Sequence, residues 1–392
     1  MMDRDEIFRV ACLHHQAGRI DEAKAGFEEV LRQSREHDQA MHLLGLVLLQ
    51  QGQLTDAASL IEKAIQLNCN QPAYHFNLAI AFSEMNRMDQ AIQACSRGIE
   101  LDPLSHDARL LLGRLFERHA EHVRAIAAYR QAVELKPDFA EGYRSLARLL
   151  MRDMGRLNEA LPMLENAISL APEIPESHNE HGFVLQRLRR YEESVQAFQR
   201  AIHLKPNYPN AYNNLSTAYR SLRKLQDAER ACRHAIHLAP GLVEAHVNLG
   251  IVLTDLGRFQ EAIVCFRTAL ELRPDNPNAR SRMLFCLQYL PEINAAGLLE
   301  AHREFDVKHA ATLRSHWNPA RGCNDSGRRL KVGFVSDGFG KHPIGHFMTS
   351  FFEKIDPRQF QLVCYSDRVQ HDEVTDQLKQ ASHLWRFTAG QS

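Results

Sequence analysis

A basic surplus, long apolar runs and paired cysteines are all missing from this sequence. Lysine plus arginine number 47 against 48 aspartate plus glutamate, a net charge of -1. Non-specific attraction to a phosphate backbone rests on excess cations, so no nucleic-acid partner is expected. No apolar stretch approaches the roughly 20 residues of a membrane-spanning helix, and no membrane is expected as a partner. The opening MMDRDEIFRVACLHHQAG carries acids where a signal peptide has a basic end and an apolar core. The eight cysteines (Cys12, Cys69, Cys95, Cys232, Cys265, Cys286, Cys323 and Cys364) include no C-x-x-C pair. That scatter predicts reduced thiols and a cytoplasmic location. The histidine pairs His119/His122 and His234/His237 have helical spacing but no acidic or cysteine partners nearby, and no metal site is expected. What remains is an ordinary soluble composition, 44% hydrophobic and 24% charged over 392 residues, with room for two or three domains.

What is present is a period. Pro103, Pro137, Pro172, Pro206, Pro240 and Pro274 each follow a segment such as AVELKP or AIHLAP and lie 34 or 35 residues apart. Projecting the spacing back to Cys69 and Arg35 predicts eight units. Small residues recur in three registers. Gly45, Ala79, Gly113, Ala147, Gly182, Ser216 and Gly250 form the first, Ala57 to Ala262 the second, and Ala64 to Ala269 the third. Larger apolar residues such as Leu48, Phe82, Phe116 and Leu253 stand three after the first register. Small residues let two antiparallel helices approach, large ones fill the groove beside them, and proline stops the second helix. The one-residue surplus falls in RLLMRDMGRLNEA (148–160) and predicts a longer turn between paired helices. The pattern over residues 1–274 resembles the tetratricopeptide repeat, whose stacked hairpins expose a long concave surface lined by first helices.

Two residues before the first small register stand Arg9, Leu43, Asn77, Leu111, Ser145, Glu180, Asn214 and Asn248. Asparagine is a mediocre helix former, so three in one register call for a reason. Its amide can donate and accept at once, which suits it to clamping a polypeptide backbone. Solvated polar positions on an exposed face are the other reading.

After Pro274 the pattern changes. Residues 275–328 are expected to form a connector, with amphipathic helices over 278–293 and 295–313 and a turn-rich linker over 318–329. From 329 to 392 the order is strand (LKVGFV), helix (HFMTSFFEKI), strand (FQLVCYS) and helix (372–387). The continuous apolar first strand predicts a parallel sheet buried on both faces, and the alternation predicts the opening of a doubly wound α/β domain. His342 follows the first strand, at the carboxyl edge where such folds place ligands. It could also simply cap the next helix.

HFNLA, YNNLS and HVNLG are similar to the asparagine ladder of protein O-GlcNAc transferases. MLFCLQYLPEINAAGLLEAHREF resembles that family's connector. LKVGFVSDGFGKHPIGHF resembles the start of its catalytic region, matching at Gly333, Phe334, Val335, Ser336, Phe339, His342 and Pro343. Gly338 stands where the family has aspartate, with Asp337 one position early. The resemblance, to the bacterial branch of the family, implies a mainly α repeat superhelix followed by the incomplete start of a Rossmann-like, GT-B type glycosyltransferase domain. It implies UDP-GlcNAc as donor, Ser or Thr hydroxyls of proteins as acceptors, no metal or tightly bound cofactor, acceptor polypeptide along Asn77, Asn214 and Asn248, and His342 at the catalytic cleft. On this reading the chain stops inside the catalytic region, and turnover by this length alone is expected to be absent or negligible. A non-catalytic repeat scaffold for partner proteins, or an O-fucosyltransferase relative, is the alternative.

Overall fold

The computed structural model describes residues 3–152, 154–311, 329–368 and 371–388. They fall into two compact units, within 1–313 and 314–392. In the first, eight antiparallel helical hairpins follow one another among the described residues. They are α1 (Arg4–Gln16) with α2 (Ile20–Gln33), α3 (Asp38–Gln50) with α4 (Leu54–Leu67), α5 (Pro72–Glu84) with α6 (Met88–Leu101), and α7 (His106–Arg118) with α8 (His122–Leu135). There follow α9 (Ala140–Leu150) with α10 (Leu157–Leu170), α11 (Pro175–Arg187) with α12 (Tyr191–Leu204), α13 (Pro209–Ser221) with α14 (Leu225–Leu238), and α15 (Val243–Asp255) with α16 (Phe259–Leu272). First helices of neighbouring hairpins also touch, α11 with α13 and α13 with α15, and so share one face of the array. The surplus residue does lie in the turn between α9 and α10, which includes a short 3-10 segment, Met154–Arg156.

The small registers show why the hairpins close. A Cβ on Gly182 would lie 2.7 Å from the Phe198 ring, and one on Gly250 would lie 2.6 Å from Phe266, distances no real contact tolerates. Gly113 meets Tyr129 in the same way. Where the first helix carries Ala79 or Ser216 instead, the second helix carries buried Cys95 or Cys232 sixteen residues on. In these hairpins a large side chain faces no side chain and a small one faces a small one, so their volume is conserved, whereas Ala11 with Phe27 and Ala147 with Leu164 do not follow the exchange. Burial pushes both thiols up to about 12, which leaves them as inert packing groups.

Two further periodic devices join the helices. The hairpin turn needs a left-handed residue, and Gly18, Gly52 and Gly257 supply it with φ of 72–75°. At the same turn position Asn86, Ala120, Arg189 and Arg223 adopt φ of 59–63° without being glycine. Between hairpins, Nε2 of His75, His178 and His246 bonds the carbonyl six residues earlier, of Cys69, Pro172 and Pro240, at 2.8–3.1 Å. Each ring thereby ties the end of one unit to the first helix of the next.

Beyond the array, α17 (Pro277–Leu287) packs on both α15 and α16, as the first helix of another hairpin would. Leu284 stands where a small residue is expected, so the sequence register is lost although the stacking is not. Next come α18 (Ala295–Phe305) and a π-helical turn, Asp306–Ala310. The predicted linker lies, apart from Arg329, outside the described residues.

The second unit holds β1 (Leu330–Ser336), α19 (Pro343–Lys354), β2 (Phe360–Ser366), α20 (Glu373–Ala381) and β3 (Leu384–Phe387). The strands are parallel in the order β1-β2-β3, with Gly333 opposite Val363 and Val363 opposite Leu384. Two corrections to the sequence reading follow. The helix expected over 372–387 stops at Ala381, where Ser382 N–H donates to Leu378 O. The chain then re-enters the sheet because His383 N–H donates to Leu362 O while its ring Nδ1 accepts from Leu362 N–H at 3.1 Å. Nor is β1 buried on both faces. Phe334 turns toward the core of Phe339, Phe352, Leu362 and Leu378, whereas Val335 is 73% exposed.

Candidate functional site

At the carboxyl edge of the sheet the chain turns sharply between β1 and α19. Ser336 Oγ accepts from Gly338 N–H at 2.9 Å, Gly340 N–H donates to Gly338 O at 2.8 Å, and His342 N–H donates to Gly340 O at 2.6 Å. A Cβ on Gly345 would run into the Gly340 backbone, so the turn requires glycine there. Asp372, the N-cap of α20, anchors the loop from outside. Its carboxylate accepts from Lys341 N–H at 2.8 Å, Thr375 N–H at 3.1 Å and Arg368 Nη2 at 2.7 Å. The Lys341 N–H foremost, with Thr375 and Arg368, holds its carboxyl well below the usual range against the cost of desolvation. Thr375 Oγ1 donates to Phe339 O at 2.8 Å, fixing the buried ring that floors the loop.

His342 is exposed at this edge and caps α19, its Nδ1 accepting from Ile344 N–H at 3.3 Å. A Cβ on Gly338 would lie 3.0 Å from that Nδ1. A side chain at position 338 would therefore adjoin the histidine.

The three asparagines fall on the shared face of the first helices, half-buried. Each spends one amide contact on the preceding hairpin. Asn77 Nδ2 lies 2.7 Å from His42 Nε2, Asn214 Nδ2 donates to Asn179 Oδ1 at 3.1 Å, and Asn248 Nδ2 donates to Asn213 Oδ1 at 2.8 Å. Burial, only partly opposed by Asp38, lowers His42 to about 4, so its ring is a neutral acceptor for Asn77. The rung interrupting the asparagines, Glu180, has a buried Oε2 without a partner. Burial pushes its carboxyl up, opposed by Arg144 and Arg148. The candidate clamp residues thus form a held row at Asn214 and Asn248, while Asn77 stands apart with a histidine neighbour.

Projecting the spacing once more gives Arg282, a residue not singled out among the candidates because the proline period ends at Pro274. It borders a cavity of about 400 Å³ lined by Thr254, Asp255, Asn278, Ser281, Arg282 and Phe285. Elsewhere, the His234 ring lies tilted against Tyr212, with ring centroids 4.2 Å apart. Among the described residues no group of three or more His, Cys, Asp or Glu could hold a metal ion, and no helix is long and apolar enough to cross a membrane.

Comparison with known proteins follows the same division. Tetratricopeptide-repeat models match residues 76–140, 190–222, 210–239 and 243–276. Models of anaphase-promoting complex subunits 3 and 5 match 16–98 and 143–182. The glycosyl transferase family 41 model matches 283–384. A small glutamine-rich tetratricopeptide repeat-containing protein of Mycosarcoma maydis is 36% identical over 19% of this chain and 21% of its own length. A probable UDP-N-acetylglucosamine–peptide N-acetylglucosaminyltransferase, SPINDLY, of Petunia hybrida is 27% identical over 30% of this chain and 13% of its own. A mutant O-GlcNAc transferase of Thermobaculum terrenum is 28% identical with a TM-score of 0.49, covering 56% of this chain and 42% of that one. The chain spans about a fifth or less of the curated relatives named here. It is a tetratricopeptide-repeat protein that carries part of a family 41 glycosyltransferase domain.

Proposed function

We propose that the chain serves protein O-glycosylation of the O-GlcNAc transferase type, its first-helix face holding acceptor polypeptide and its α/β unit contributing one edge of the sugar-transfer site. The observation that carries this reading is the family 41 match running from within α17 to the first residue of β3, on the same chain as a row of amide side chains on the repeat face. Each clamping asparagine keeps its carbonyl oxygen and a second N–H beyond the contact to its neighbour, enough to bond a passing peptide group. His342 sits where a proton or hydrogen bond could be offered to a reacting hydroxyl. UDP-GlcNAc is the proposed donor. A sheet covered on one face does not enclose a nucleotide, so this stretch alone is expected to transfer no sugar.

The test has two arms. A labelled, unstructured Ser/Thr-rich polypeptide should bind the chain, and replacing Asn77, Asn214 and Asn248 together by Ala should weaken binding about tenfold, the loss of one or two amide contacts. The full-length gene product should transfer radiolabelled GlcNAc to such an acceptor and lose most of that transfer on His342→Ala. Binding without any transfer by the full-length product would favour the scaffold reading, and no binding would remove the groove altogether.

A further inference from the structure

We propose that the cavity beside Arg282 is an anchoring pocket for an acidic side chain of a polypeptide lying along the asparagine row. The inference rests on the groove reading above and assigns it a chemical preference.

Asn214, Asn248 and Arg282 occupy equivalent positions on α13, α15 and α17, which touch in sequence. The last of the three exchanges an amide for a guanidinium. Arg282 Nε donates to Asn278 Oδ1 at 2.8 Å, one turn back on its own helix, which fixes the plane of the group. Among the described residues no carboxylate pairs with it. The cavity's one carboxylate, Asp255, is engaged by Arg220 at 2.7 Å. Two guanidinium groups against one carboxylate leave an uncompensated positive charge at the pocket. Desolvation, followed by the neighbouring Arg220 and opposed by Asp255, makes the charged form of Arg282 harder to hold than usual, and a further anion would relieve that.

The shape suits a carboxylate on a chain better than a free ion. A guanidinium fixed through Nε presents its terminal amino groups as a fork that meets a carboxylate with two parallel bonds. Ser281 adds a hydroxyl, and the half-exposed Phe285 ring offers an apolar wall for a side chain's methylenes. Helices at about 9 Å spacing and an extended chain rising about 3.3 Å per residue put roughly three residues between rungs. A backbone held at Asn248 would therefore bring a side chain about three residues on to the pocket.

The test measures fluorescence anisotropy with the whole 392-residue chain and twelve-residue Ser/Thr/Ala peptides carrying one Glu, against Gln twins. The Glu peptide is expected to bind about tenfold tighter than its twin at low salt, with the gap closing as salt rises. In Arg282→Gln the gap should vanish while the twin binds as before. Circular dichroism melts should coincide, since this side chain is only partly covered and lies outside the core. Equal binding of the twins to the wild type, or a gap that survives Arg282→Gln, overturns the pocket while leaving the groove intact. Failure of every peptide to bind overturns both. Inorganic phosphate and a phosphoserine peptide form the remaining arms. Competition by millimolar phosphate with no difference between the twins would make this a small-anion site and overturn the proposal. A phosphoserine peptide that outbinds Glu, again only with Arg282 present, would support the anionic anchor and set its preference.

Discussion

The two units solve the problem of burial in opposite ways. In the repeat array every hairpin presents the same faces to its neighbours, so the core is a chain of small identical settlements between adjacent units. The α/β unit has one concentrated core, around Phe339, Phe352, Leu362 and Leu378, and leaves Val335 and Phe347 73% and 79% exposed. The array tolerates local error because no residue serves more than its neighbours. The small unit depends on a few side chains.

That contrast can be broken most severely at Phe339. Its ring is 1% exposed and packs on Trp385 with centroids 5.5 Å apart. Phe339→Ala should destabilise the α/β unit by about 3–5 kcal/mol, typical of a lost core aromatic. Calorimetry should show one transition collapsing while the array's stays put. A single merged transition that moves as a whole would refute the independence of the two units.

Acid separates them next. The folded-state value of His42, about 4, lies below the roughly 6.5 of an unfolded histidine. The unfolded chain therefore binds the extra proton first, and the array loses stability as pH falls from about 6.5 to 4, by up to about 3 kcal/mol. Asp372 behaves otherwise. Its depressed carboxyl stabilises the α/β unit above the unfolded value near 3.9, and that contribution fades only as pH falls below it. Denaturant melts across pH 3–7 should show the array weakening first, and His42→Gln should flatten that slope. An unchanged slope in the variant would place the titrating group elsewhere.

The smallest effect is a gain. Ala120 holds a left-handed turn with φ of 59°, where the equivalent residues of three other hairpins are glycine. Ala120→Gly should stabilise its hairpin by about 0.5–1 kcal/mol, the steric cost of a Cβ in that region less the entropy of glycine. Chemical denaturation reads this directly, and a loss of stability would show that the turn is not strained.

These comparisons also mark what was legible in the residues. The hairpins were, because small side chains and prolines at a fixed interval are a property of the sequence itself. The turn conformation of Arg189 and Arg223 was not, since only the closing of the neighbouring helices forces a non-glycine residue into it. β3 was hidden because QLKQASHLWRF reads as one amphipathic run, and the signal that splits it is a long-range pairing of His383 with Leu362. The asparagine register was visible, but not that each amide is partly spent on the previous hairpin. That depends on residues 35 apart meeting across a helix interface. For His342 both readings of the sequence describe the same place, an edge position that is also a helix cap.

The exchange of bulk between paired helices has a consequence for how such an array can change over generations. Gly182 answers Phe198 and Ala79 answers Cys95. A recombination joint falling between hairpins would pass a matched pair intact. A joint inside one of these hairpins would set a methyl against a ring that now faces glycine, or leave a hole where a ring had been, a mismatch that only the first hairpin, with Ala11 beside Phe27, is built to carry. Whole hairpins are thus the natural currency of duplication and deletion here, and half-hairpins are not.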